Sequence, residues 1–93
     1  MIVTSTRYPE EIEQIRRKLS GDMLKVFDYF LRNISVGEVI AVRELQYRYK
    51  IDKPLEIIVR LINEGLLEKG EGCYNLSRGL RELLWRKGFR ARY

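Results

Sequence analysis

The sequence has no histidine, one cysteine and two prolines in 93 residues. Lack of histidine removes the usual general base near neutral pH and the commonest metal ligand. A lone Cys73 closes no internal disulfide and builds no thiolate metal cluster, which suits a reducing, cytoplasmic setting. Apolar runs are short, and no window approaches the roughly 20 residues needed to span a bilayer. Met1 to Thr6 hold no basic region followed by an apolar run, so a secretory signal is not expected. Enzymatic chemistry also lacks its parts. Glu10, Glu11, Glu13 and the other carboxylates lie on short helices with no cleft expected between them. Gly70-Glu71-Gly72 is a two-glycine turn, not a phosphate loop. No enzyme activity, metal or cofactor is expected.

Apolar residues make up 45% of the chain and charged residues 33%, enough for one small core and one domain over residues 1–93. Net charge is +5, unevenly placed. Lys/Arg and Asp/Glu cancel over residues 1–75, so the whole excess falls in the last 18 residues, where Arg78, Arg81, Arg86, Lys87, Arg90 and Arg92 face only Glu82. Such a patch attracts phosphate backbones or an acidic protein face, although it also suits a solvated helix and a frayed tail. Twelve arginines against six lysines favour bidentate contacts and are equally common in proteins from hot environments.

Ile2–Thr6 is β-rich and reads as a loose arm or a short edge strand. Pro9 with Glu10 and Glu11 starts a helix over about 9–19, with Ile12, Ile15 and Leu19 as its apolar stripe. Asp22 is expected to cap a second helix over about 22–32, apolar on a wide face through Leu24, Phe27 and Leu31. Glu38–Val42 reads as a brief strand, with Arg43 opening a short helix that holds Tyr47, Arg48, Tyr49 and Lys50. Asp52 caps a third core helix with Pro54 in its first turn. At 100° steps Leu55, Ile58, Val59, Leu61, Ile62 and Leu66 cluster inward, leaving Lys53, Glu56, Ile57, Arg60 and Glu64 outside. Leu66–Lys69 and Cys73–Leu76 form a hairpin around Gly70-Glu71-Gly72. Ser77 caps a last helix over about 78–88, with Leu80, Leu83, Leu84 and Trp85 on its apolar side and Gly88 at its end.

The fold class is therefore mostly α with a small β-hairpin. Through MLKVFDYFL (23–31), VRELQYRYKID (42–52), KPLEIIVRLINEGLLEKG (53–70) and CYNLSRGLREL (73–83), the chain resembles winged helix-turn-helix DNA-binding domains of the small archaeal or archaeal-virus type. Gly65-Leu66 stands where that family's third helix leads into the wing. The resemblance implies a core over 22–77 with an added helix at each end, and a transcriptional regulator whose partner is double-stranded DNA. It places the third helix in the major groove, with Lys53, Glu56, Ile57 and Arg60 at base edges. Phosphate contacts would come from Arg43, Arg48, Lys50, Lys69, Arg86 and Lys87. The terminal helices would form a homodimer through Ile12, Ile15, Leu19, Leu80, Leu83, Leu84 and Trp85, or simply enlarge the monomer core.

Several residues resist the DNA reading. The outward stripe of the third helix is neutral, and the minimal wing carries Glu71 at its tip. A second function stays open beside the regulator: a winged-helix adaptor that docks onto a larger nucleic-acid-processing assembly.

Overall fold

Pro9 has no amide to leave unpaired, and Glu10, Glu11 and Glu13 sit at the positive end of the helix that follows, α1 (Glu10–Lys18). A computed structural model describes residues 8–88. The arm at Ile2–Thr6 and the tail at Phe89–Tyr93, with Arg90 and Arg92, lie outside the described residues. After α1 come α2 (Gly21–Asn33), β1 (Ser35–Gly37), α3 (Glu38–Tyr47), α4 (Pro54–Asn63), β2 (Leu67–Lys69), β3 (Cys73–Leu76) and α5 (Arg78–Arg86). The described fold is thus mostly helical, five helices with a three-stranded antiparallel sheet in the order β1-β3-β2.

The expected hairpin forms, but its sheet gains a strand that the residues did not announce. Glu38–Val42 is helix, not strand, and β1 lies just before it, pairing Ser35, Val36 and Gly37 with Asn75, Tyr74 and Cys73. The β-branched residues Val39, Ile40 and Val42 suit a strand by propensity, yet tertiary bonds decide otherwise. The Glu38 amide donates to the Gly72 carbonyl at 3.0 Å, so the hairpin tip ends β1 and begins α3. Between α2 and β1, Ile34 has φ 65° and ψ −54°, a strained conformation for a β-branched residue. Its amide donates to Phe30 O at 2.8 Å and its carbonyl accepts the Leu76 amide at 2.7 Å. Its side chain is buried, so the bonds and packing on both sides hold it there.

Cap positions shift by one or two residues. Ser20, not Asp22, is the N-cap of α2, and Lys53, not Asp52, precedes Pro54. Neither makes a side-chain cap bond. Ser77 is the N-cap of α5 without using its hydroxyl as a cap. The Glu68 carboxylate takes that role from β2, accepting the Arg78 amide at 2.9 Å and pairing with Arg81 at 3.2 Å. Gly65 (φ 81°) closes α4 in a Schellman turn, with Gly65 and Leu66 amides bonded to the Ile62 and Leu61 carbonyls.

The core is organised around α2, which buries Val26, Phe27, Tyr29, Phe30 and Leu31. Against it lie Ile12 from α1, Ala41 and Leu45 from α3, Ile58 and Leu61 from α4, Leu76 from β3 and Leu84 from α5. Burial of each large side chain contributes about 1.5–3 kcal/mol. Polar links hold the same side together. Arg16 makes a bidentate bond to Asp28 at 2.8 and 2.9 Å, tying α1 to α2. Tyr29 donates its hydroxyl to Glu44 at 2.5 Å, and its ring meets that of Tyr49 edge-on at 5.6 Å.

Two stability predictions follow from these local features. Lys50 is exposed with φ 60°, a conformation that costs an L-residue roughly 1–2 kcal/mol. Lys50→Gly removes that cost and adds some unfolded-state entropy, so the expected gain is about 0.5–1 kcal/mol in a thermal melt. An unchanged or lower melting temperature contradicts it. Burial first, then the bond to Glu44, pushes the Tyr29 hydroxyl above its usual value of 10.0. The folded state holds this proton more tightly than the unfolded chain. The contribution is therefore complete below pH 10 and is lost as pH climbs above it. Denaturant stability should fall above pH 10, and less steeply in Tyr29→Phe, which itself costs about 1 kcal/mol at neutral pH.

Candidate functional site

Helix α3 is apolar on two sides, and the core uses only one. Ala41 and Leu45 face inward, whereas Val39 is 68% exposed, Ile40 57% and Tyr47 69%. Across from it, α4 buries Pro54, Ile58 and Leu61 but leaves Leu55 at 49% and Val59 at 45% exposure. Single exposed apolar residues are ordinary on protein surfaces; a contiguous set is not. Here all of the set but Ile40 line a groove. One hollow of about 430 Å³ lies over Val39, Val42, Tyr47 and Leu55, and an adjoining one of about 700 Å³ over Val42, Pro54, Leu55 and Val59. Val42, Gln46 and Leu55 line both.

Charge around the groove is asymmetric. Arg43, Lys53, Glu56 and Arg60 rim it. Glu38 also reaches the rim but is paired with Lys69 of the hairpin, whose ammonium is pushed above its usual value by that contact. The hairpin is thereby folded against the start of α3, and Lys69 is committed within the chain instead of projecting as a phosphate contact. Among the described residues Arg43, Lys53 and Arg60 have no ion-pair partner.

Of the four expected base contacts, Lys53, Glu56 and Arg60 come together on the groove rim, while Ile57 turns inward and packs half-buried on the core. Arg43 joins them. Arg48 and Lys50 are exposed where α3 ends, and Arg86 and Lys87 are exposed at the far end of α5. The positions expected to pair two subunits serve the chain's own core. Ile12 and Leu84 are buried within it, Ile15, Leu19, Leu80 and Leu83 pack at its margin, and Trp85 alone is 46% exposed. Cys73 is half-buried and has no disulfide partner among the described residues.

Exposure of Leu55, Val59 and Val39, with Val42 half-buried beside them, differs from what the sequence suggests. The signal was present in α4, where six of the ten residues 54–63 are Leu, Ile or Val. One buried stripe cannot hold them all, and the 100° projection assigned Leu55 and Val59 inward and Ile57 outward. Packing on the core keeps Ile58, Leu61 and Ile62 inward and rotates the helix only far enough to bring Ile57 in and leave Leu55 and Val59 out.

Among the described residues no group of three His, Cys, Asp or Glu is placed to hold a metal, and no helix is long and apolar enough to cross a membrane. Comparison with individual curated proteins gives no match. Residues 20–82 match the family described as PBP2, PolB1 Binding Protein 2. That description names a protein as what the family binds. It overturns assignment to a winged-helix DNA-binding family, the role of transcriptional regulator, and duplex DNA as the direct partner. The chain is a non-catalytic binding domain. The match covers two-thirds of its length, from the start of α2 into α5, and on that ground the chain belongs to the PolB1 Binding Protein 2 family.

Proposed function

We propose that this chain is an adaptor subunit that binds a PolB1-type DNA polymerase through the open face of α3 and α4. One observation carries the reading. The surface that a groove-reading helix would present to DNA is occupied here by Leu55 and Val59, with Val39 and Tyr47 beside them. Apolar side chains gain nothing from a phosphate backbone, whose recognition depends on cations. They gain from being covered by another apolar surface, on the order of 25 cal/mol per Å² removed from water. Lys53, Glu56, Arg60 and Arg43 then act as a polar rim around an apolar centre, the usual anatomy of a protein interface.

The scaffold for this role is a winged helix-turn-helix domain, spanning 1–93 as one unit with its core over 22–77. What supports that reading is the order α2, β1, α3, α4, β2, β3, together with a hairpin whose second strand lies between β1 and β2. The added helices, near 9–19 and 78–88, enlarge its core. In this reading the chain works in the cytoplasm beside its polymerase.

The test is complex formation. The purified full chain should co-elute with a PolB1-type polymerase as a stoichiometric complex at micromolar concentration, with no nucleic acid added. Failure to form that complex, or formation only when duplex DNA bridges the two, removes the adaptor role.

A further inference from the structure

We infer that the α3/α4 groove receives a single amphipathic helix of the polymerase, apolar at i, i+4 and i+7 and acidic along its flanks. The inference rests on the adaptor reading and specifies the chemistry of the segment that docks.

Shape sets the length. From Val39 to Tyr47, α3 advances eight residues, about 12 Å at the rise of an α-helix. A partner helix lying along that length presents roughly two turns, hence three anchors on one face. The two hollows, joined at Val42 and Leu55, offer room for such anchors in a continuous run. The walls decide the conformation. The walls of the groove are side chains of α3 and α4, with Tyr74 of β3 at one end, and beyond the first turn of α4 their backbone groups bond within their own helix, so no free row of amides and carbonyls awaits an extended strand. An entering segment must satisfy its own backbone, and a helix does so.

Charge sets the flanks. With Glu38 taken by Lys69, the rim retains Arg43, Lys53 and Arg60 against Glu56 alone. Carboxylates on the incoming helix would meet unpaired guanidinium and ammonium groups that are exposed until docking. The same cations disfavour a second copy of this chain as the occupant. A two-fold contact through this face brings the three-cation rim of one copy against that of the other, with like charges at close range.

The experiment titrates the full-length polymerase with wild-type chain and with three variants, Leu55→Asp, Val59→Asp and the pair Arg43→Glu with Arg60→Glu. Lys25→Glu, on exposed α2 surface, serves as a charge control. Thermal melts check that each variant stays folded, as is expected for exposed positions. Each Asp variant should weaken binding by about 30-fold or more. The double reversal should weaken it and remove most of its salt dependence, with Lys25→Glu at wild-type affinity. Hydrogen exchange should show protection in the polymerase confined to one helical segment of acidic and apolar residues. Wild-type affinity in the folded Asp variants overturns the inference while leaving the adaptor reading in place. So does protection of an extended polymerase segment, or self-association of the chain that Leu55→Asp abolishes. If the wild-type chain forms no complex, the adaptor reading itself falls.

Discussion

The constraint from which the remaining features follow is that one helix supplies the centre of the core. α2 buries five consecutive-turn side chains, and its largest helix partner is α4. Among the described residues no second layer covers the outer sides of α3 and α4. α3 therefore invests Ala41 and Leu45 in the core, and α4 invests Ile58 and Leu61. Val39, Ile40 and Tyr47 of α3 and Leu55 and Val59 of α4 stay exposed to water. That surplus is the physical origin of the groove between α3 and α4.

Ion pairing shapes what remains of the charge. Over residues 1–75 positive and negative side chains are equal in number, which suggests a neutral surface if they are all treated alike. The fold treats them differently. Arg16 pairs with Glu13 and Asp28, Arg17 with Glu10, and Lys69 with Glu38. Glu68 is occupied by Arg81 and by the first amide of α5. Exposed pairs of this kind add little stability, but they remove their members from the pool available to a partner. Arg43, Lys53 and Arg60 stand out by position, sharing one rim where Glu38 is already held by Lys69 and Glu56 is the other carboxylate. Net charge by segment located the excess at the C-terminus and so pointed away from the groove.

Much of the architecture was legible in single residues with strong local preferences. Pro9, Pro54, Gly65 and Gly88 mark helix ends where the chain indeed starts or stops helices, and Gly70-Glu71-Gly72 turns the hairpin. The misplaced strand and the misjudged groove share one cause. Val39, Ile40 and Val42 have β-branched side chains whose strand preference is weaker than a register fixed by Gly37, Gly72 and Cys73, residues far apart in sequence. In α4, hydrophobic periodicity identifies a buried stripe when apolar residues are scarce. With six of ten positions apolar, several rotations of the helix bury a comparable set, and only contact with α2 selects among them. The order of elements was legible in the residues themselves, and the resemblance to DNA-binding domains drawn from that order said nothing about which face of the third helix would be polar.

An exposed helix held at a fixed angle by a small sheet can be directed at any partner whose surface complements its outer residues, and here two positions decide. With lysine or arginine in place of Leu55 and Val59, the face formed with Arg43, Lys53 and Arg60 would be strongly cationic and suited to phosphates. As leucine and valine they split the cations into a rim and place an apolar floor between them. The hairpin follows the same division. A DNA-straddling hairpin needs a free basic tip, whereas this hairpin gives its lysine to Glu38 and its Gly72 carbonyl to the first amide of α3. It braces the helix that forms one wall of the groove. In the proposed docking a brace of that kind reduces the ordering cost, since α3 is held in place before a partner arrives.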